Sequence, residues 1–183
     1  MRVGVLASGT GTILRAMFER ALPIVVVVAD RPCGALEIAE AIGTPAELVA
    51  RKSFGSDFDR VAYTHDIVDA LQKYDVDLVA IAGFGTILSK PFVVAYANRA
   101  VNTHPALLPA FKGWHAVRDA LDAGVKVTGS TVHLVTEDVD SGPILAQEAV
   151  PVFEDDTEDT LHERIKQVER RLYPDVIERL VTA

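Results

Sequence analysis

The sequence predicts a doubly wound α/β sheet, mostly parallel, with an antiparallel extension in its C-terminal half. Three observations lead there. Short Val/Ile-rich runs without alternation occur at residues 2–7, 24–29 and 77–81, the pattern of parallel strands covered on both faces. Helical patterns separate them, so strand and helix alternate. In the second half, two strand patterns lie close together at 127–135 and 144–152, interrupted by the acidic segment 136–142.

The first strand begins at the chain start, where Met1-Arg2-Val3-Gly4-Val5-Leu6 briefly resembles an export signal. Its apolar run is too short for one and leads directly into Ser8-Gly9-Thr10-Gly11-Thr12. Ile13, Leu14, Met17 and Ala21 then share a helical face, and Phe58, Val61, Ala62, His65 and Val68 share another. A fourth parallel strand is expected at 100–103. Residues 114–123 read as a helix stopped by Gly124. The last helix starts near Asp155-Asp156-Thr157, which offer cap oxygens, and carries the stripe Leu161, Ile165, Val168, Leu172. With no repeat, low-complexity tract or linker, residues 1–183 form one expected domain.

Composition removes several classes of function. A chain of 183 residues that is 49% hydrophobic and 24% charged can build a full core. No apolar run approaches the roughly 18 residues of a membrane span. The net charge is −8 and no dense Lys/Arg run exists, which disfavours nucleic acid because phosphate neutralisation needs a positive face. An anionic substrate must therefore be held by a small local site. The single cysteine, Cys33, allows no internal disulfide or thiolate metal cluster, and the default compartment is the cytoplasm. The five histidines show no HxH or HxxxH spacing, so no metal is expected. A homodimer is compatible with the sequence, which does not specify one.

Two segments carry chemistry. Gly9 and Gly11 let the backbone of the first loop approach a ligand, and the helix N-terminus behind them offers unpaired N–H groups and a positive dipole end. A third Rossmann glycine is missing, since Leu14 stands there, and no Gly-Lys-Ser/Thr follows. A small anion such as a monophosphate fits this loop better than a dinucleotide; a ligand-free tight turn is the alternative. The second segment is Asn102-Thr103-His104-Pro105, at a strand end where open α/β sheets bind ligands. Polar Asn and His there are costly unless paired or used, and they share one strand face; a satisfied structural histidine is the competing reading. Asp140 lies in the acidic run Glu137-Asp138-Val139-Asp140, and composition does not select among its three carboxylates.

The pattern Asn102-x-His104-Pro105-x-Leu107-Leu108-Pro109, with Gly113 and then Asp140-x-Gly142-Pro143, resembles the formyltransferase-fold enzymes. Within them it is most similar to the phosphoribosylglycinamide formyltransferases. Val5 to Gly11, Ala82-Gly83-Phe84, Glu169 and Tyr173-Pro174 extend the resemblance over nearly the whole chain. It implies a Rossmann-like fold and transfer of the formyl group of 10-formyltetrahydrofolate, a co-substrate, to the amine of glycinamide ribonucleotide, without metal. It assigns Asn102 as donor to the oxyanion, His104 to oxyanion stabilisation and proton transfer, and Asp140 to orienting His104. It places the substrate phosphate on Gly9, Thr10, Gly11 and Thr12, and the ribose on Glu169. It puts the folate against Phe84, Gly85, Thr86, Ile87 and Leu88, with Arg60, Asn102 and Asp140 also on that side.

Two departures stand out. Many relatives have Asn in place of Ile13, which cannot donate to a phosphate, so the expected donors are backbone N–H groups, alone or with a cation such as Arg60 or Lys166. Relatives often have Met-Arg in place of Gly85-Thr86. Among the other aromatic and histidine residues, His115 is a candidate lining residue, His133 a supporting or packing one, and His65 and His162 structural or exposed. Trp114 reads equally as a core anchor or a ligand platform. The competing activities are hydrolysis of the formyl folate by a related deformylase, for which the first loop has no obvious role, and formylation of initiator tRNA, which the acidic charge disfavours. A non-enzymatic anion-binding module would leave the Asn102/His104/Asp140 pattern an accident.

Overall fold

The computed structural model describes residues 1–183. Strands β1 (Val3–Leu6), β2 (Ile24–Ala29), β3 (Ala46–Leu48), β4 (Leu78–Ile81), β5 (Ala100–His104), β6 (Val127–Leu134) and β7 (Ile144–Pro151) form one sheet. Their order is β3-β2-β1-β4-β5-β6-β7. The first five run parallel, while β6 pairs antiparallel to β5 and β7 antiparallel to β6. The helices are α1 (Thr12–Glu19), α2 (Gly34–Ile42), α3 (Arg60–Gln72), α4 (Lys90–Ala95), α5 (Ala116–Asp122) and α6 (Glu158–Thr182). Because successive strand residues point to opposite faces, two cores result. Val3, Val5 and Ala80 pack with Leu14 and Met17 of α1 and Tyr173 and Ile177 of α6. Leu6, Val26, Val28 and Val79 pack with Ile67 and Leu71 of α3 and Phe92 of α4. A smaller cluster joins Val117, Val150, Leu161 and Ile165.

The expected strands all form, each end within one residue of the expected position. Three elements were not anticipated: α2, β3 and α4. Each has weak signals. Helix α2 opens on Gly34 with no side-chain cap and ends on Gly43 at φ 82, β3 is an edge strand of three residues, and α4 has six. The expected apolar face of α3 is corrected. Val61, Ala62 and His65 are exposed, and Tyr63, Thr64, Ile67, Val68 and Leu71 are buried, because the helix begins at Arg60 with Asp59 capping Ala62 and its inward stripe runs 63/64/67/68/71. Ala21 lies past the end of α1, exposed and at φ 52. Helix α5 starts at Ala116, so Trp114 is no core anchor: it is 64% exposed. Helix α6 has the capping box its sequence signals, between Thr157 and Thr160. No helix is long and apolar enough to cross a membrane.

Candidate active site

Chain connections leave β1 toward β2 and β4 toward β5, so the strand order reverses between β1 and β4. Ligands in open α/β sheets bind at this point beyond the carboxyl strand ends. A cleft of about 570 Å³ lies there, bounded by the loop after β1, the loop after β4, the end of β5, the β6–β7 loop and one face of α6.

The loop after β1 holds Gly9, Thr10, Gly11 and Thr12 on the cleft wall. Gly11 is the N-cap of α1 at φ 75, with no side-chain cap and no acidic residue in the first turn. The first-turn N–H groups therefore lack an internal side-chain acceptor. A Cβ on Gly11 would lie 2.9 Å from Ala35 Cα, so only glycine fits; one on Gly9 would meet nothing within 4 Å. Ile13 is buried in the core with Leu14 and Met17, which explains an apolar residue there. On α6, His162, Lys166 and Glu169 face the cleft, at helical spacings i, i+4 and i+7. Lys166 has no ion-pair partner among the salt bridges formed. Arg60 is not on this wall: its Nη1 donates to Ile87 O at 2.6 Å, on the side of the β4–α4 loop.

Glu169 is buried and accepts from Thr103 Oγ1 at 2.9 Å. Burial pushes its carboxyl up to about 7, against the Thr103 bond and the charges of Lys166 and Arg170. A raised acid favours the fold in its neutral form, so this contribution is fully present below the ordinary value of 4.5 and is lost as pH rises through about 7. Glu169→Gln is expected to abolish that loss. Between about pH 4.5 and 8, denaturant titrations should show the unaltered protein losing about 2–4 kcal/mol relative to the variant; parallel curves would refute the assignment.

At the end of β5, Asn102 and His104 point to one side, and antiparallel register sets His133 opposite Asn102. Asn102 Nδ2 lies 3.3 Å from His133 Nε2. His133 Nδ1 lies 2.9 Å from Leu134 O, and a carbonyl only accepts, so Nδ1 carries the proton and Nε2 can accept from Asn102. His104 donates from Nε2 to Phe111 O at 2.7 Å, while its Nδ1 lies 3.3 Å from Asp140 Oδ2. When the ring is protonated, both N–H groups have an acceptor. Asp140 Oδ2 also accepts from Gly113 N at 2.9 Å, and Oδ1 is 3.6 Å from His133 Nε2. Burial pushes the Asp140 carboxyl up, but His133 when its Nε2 is protonated, the Gly113 N–H and the charge of His104 outweigh it and hold it below the usual range. The turn presenting Phe111 and Gly113 is tied to the sheet by Thr131. Its buried hydroxyl donates to Ala106 O at 2.7 Å and accepts from Leu108 N at 3.0 Å and Gln147 Nε2 at 2.9 Å.

The loop after β4 supplies Phe84, Thr86, Ile87 and Leu88 to the cleft; Gly85 is not on its surface. Thr86 is buried and donates to Asp30 Oδ2 at 2.8 Å. A Cβ on Gly85 would collide with Arg31 Nη2. The Gly85-Thr86 departure thus forms a packed unit with Asp30 and Arg31.

The fold brings Asn102, His104, Asp140, Glu169 and the first loop into one cleft. Sequence reasoning undervalued His133, whose signal was the hairpin register, and His162, whose signal was its spacing to Glu169. His115 is exposed and outside the cleft wall. No group of three or more His, Cys, Asp or Glu side chains is arranged to hold a metal ion.

The family described as Formyl transferase matches residues 1–177. The chain is 48% identical to the phosphoribosylglycinamide formyltransferase of Mycobacterium tuberculosis over 99% of its own length and 85% of that protein. It is 37% identical to the Bacillus subtilis enzyme of the same name, over 98% and 94% of the two chains. The crystal structure of glycinamide ribonucleotide transformylase 1 from Symbiobacterium toebii superposes with a TM-score of 0.89 at 43% identity, covering 97% of this chain and 85% of that one. With a family match over residues 1–177, the same fold and this coverage, the chain belongs to the formyl transferase family, among its phosphoribosylglycinamide formyltransferases.

Proposed function

We propose that the chain transfers the formyl group of 10-formyltetrahydrofolate to the amine of glycinamide ribonucleotide. The observation that carries this is the placing of His104 on Asp140 at 3.3 Å and of Asn102 on the adjoining His133 at 3.3 Å, in the same cleft as an uncapped helix N-terminus. The nucleotide phosphate sits on the first-loop N–H groups with Lys166, and Glu169 meets the ribose. The amine nitrogen attacks the formyl carbon and the carbonyl oxygen gains negative charge. One Asn102 N–H is held by His133, leaving the other for that oxygen. His104, its two ring nitrogens facing Phe111 O and Asp140, contributes positive charge beside that oxygen when it is protonated, not a hydrogen bond. The attacking nitrogen loses a proton, N10 of the folate gains one, and the C–N10 bond breaks to release tetrahydrofolate. No enzyme-bound acyl group is needed, because the nucleophile is the substrate's own amine.

The test is incubation of purified protein with 10-formyltetrahydrofolate, with and without glycinamide ribonucleotide, following the folate absorbance. Release should require the nucleotide. Equal release without it would mean hydrolysis and would overturn the reading. The phosphate assignment has its own check. Gly9→Val projects a side chain into open space on the cleft wall without strain, so the nucleotide KM should rise about tenfold or more, the loss of roughly 1.4 kcal/mol of binding, while the folate KM changes little. An unchanged nucleotide KM rejects the phosphate site. Gly11 is a poorer probe, because any side chain there strikes α2.

A further inference from the structure

The least solvent-exposed carboxylate near the cleft is one that the chemistry above does not use. Asp30 follows β2, its residue is 2% exposed, and its side chain is fully shielded. It accepts from Arg31 Nε at 2.9 Å, Arg31 Nη2 at 3.1 Å and Thr86 Oγ1 at 2.8 Å, and burial, which pushes its carboxyl up, is outweighed by these partners and the nearby Ser8 hydroxyl. Ser8 in turn accepts from Gly85 N at 2.6 Å, and its own N–H donates to Gly83 O at 2.9 Å. The loop after β4 is therefore tied to the end of β2 through Asp30 and to the end of β1 through Ser8. An ion pair whose cation, Arg31, is half exposed contributes little to stability. Its directional bonds instead select one loop conformation, as a fully satisfied polar network does.

We propose that Asp30, acting through Thr86, is the positioning residue for the co-substrate wall of the cleft. The proposal rests on the folate reading of that wall. Thr86 is the contact point: its hydroxyl is spent on Asp30, which turns its backbone and its neighbours Phe84, Ile87 and Leu88 toward the cleft. Arg31 lies against Gly85 from outside, so a side chain there would have to displace its guanidinium. The acceptor loop meets the side chains of this cluster through Ser8, which does not line the cleft, and meets the start of α2 separately through Ala35 N, which donates to Gly9 O at 3.2 Å. Loss of the Asp30–Thr86 bond should thus loosen the folate side selectively.

The experiment uses Thr86→Val, Thr86→Ser and Asp30→Asn in the full chain, with steady-state kinetics in both substrates and calorimetric binding of tetrahydrofolate. Thr86→Val keeps the shape and leaves Arg31 and Ser8 on Asp30. It should raise the folate KM and the tetrahydrofolate Kd about tenfold, the size of one displaced contact set, with kcat at saturation and the nucleotide KM within about twofold. Thr86→Ser restores the hydroxyl and should restore both constants. Asp30→Asn should act in the same direction and add a smaller rise in the nucleotide KM through Ser8. The proposal is overturned if Thr86→Val leaves the folate constants unchanged, if both substrates' KM rise equally, or if the Ser variant behaves like the Val variant. If the unaltered protein binds no tetrahydrofolate while nucleotide binding persists, the folate reading of the wall fails and takes the proposal with it. Should Asp30→Asn fail to fold, the two Thr86 variants still decide the matter.

Discussion

Replacing Asp140 by Asn is expected to lower kcat by roughly 10²–10⁴, the usual worth of positioned acid–base assistance, while the protein stays folded. The residue sits at φ 50, a left-handed conformation that Asn tolerates better than most side chains. The amide oxygen can still accept from Gly113 N. What disappears is the negative charge 3.3 Å from His104 Nδ1. A protonated His104 then has no counter-charge as the oxyanion forms and the proton moves. Because the Asp140 carboxyl is held low, its contribution to stability is present above the ordinary value near 3.8 and vanishes as pH falls through the lowered one. The variant should therefore converge with the parent in stability at acid pH. Steady-state kinetics and circular dichroism together check this; turnover within threefold of the parent would remove Asp140 from the mechanism.

Asn102→Ala should cost roughly 10²–10³ in kcat, the usual effect of deleting one oxyanion donor, with both KM values within a few-fold. The prediction follows from how its amide is shared. His133 is oriented by Leu134 O and accepts one N–H at 3.3 Å, so the amide cannot swing away and its second N–H is pre-aimed. Since the donor matters most when charge develops on oxygen, the loss belongs in kcat rather than in binding. A variant that raised KM tenfold at unchanged kcat would show that Asn102 binds substrate without stabilising the intermediate. Asn102→Asp is a sharper control. It puts a carboxylate where the oxyanion forms and beside Asp140, and should be at least as damaging.

The contrast between these residues and Thr86 is one of timing. Asn102 and Asp140 act on charge that exists only during reaction, so their loss appears in kcat. Thr86 and Asp30 hold a wall that touches the co-substrate throughout, so their loss appears in KM. A cleft whose two functions separate along these lines can be dissected by kinetics alone.

Much of this was legible in the chain itself. Buried parallel strands announce themselves as unbroken Val/Ile runs, because both faces must exclude water. Gly9 and Gly11 before a helical pattern signal an exposed helix N-terminus, since a loop of that kind is a local matter of backbone freedom. Asn102 and His104 could be suspected because polar residues at a strand end need a use. Asp140 could not be separated from Glu137 and Asp138 by composition, and only the family pattern selected it. The tertiary structure decided what depends on distant segments meeting. Pairing of β5 with β6 set His133 against Asn102, 31 residues away. The left-handed Phe111 turned its carbonyl onto His104. Packing of α6 across the sheet buried Glu169 and raised its carboxyl. Asp30 reached Thr86 across 56 residues. Periodicity and turn chemistry are encoded within a few residues, whereas hydrogen-bond partners and desolvation are properties of the assembled fold and appear only once register and helix docking are set.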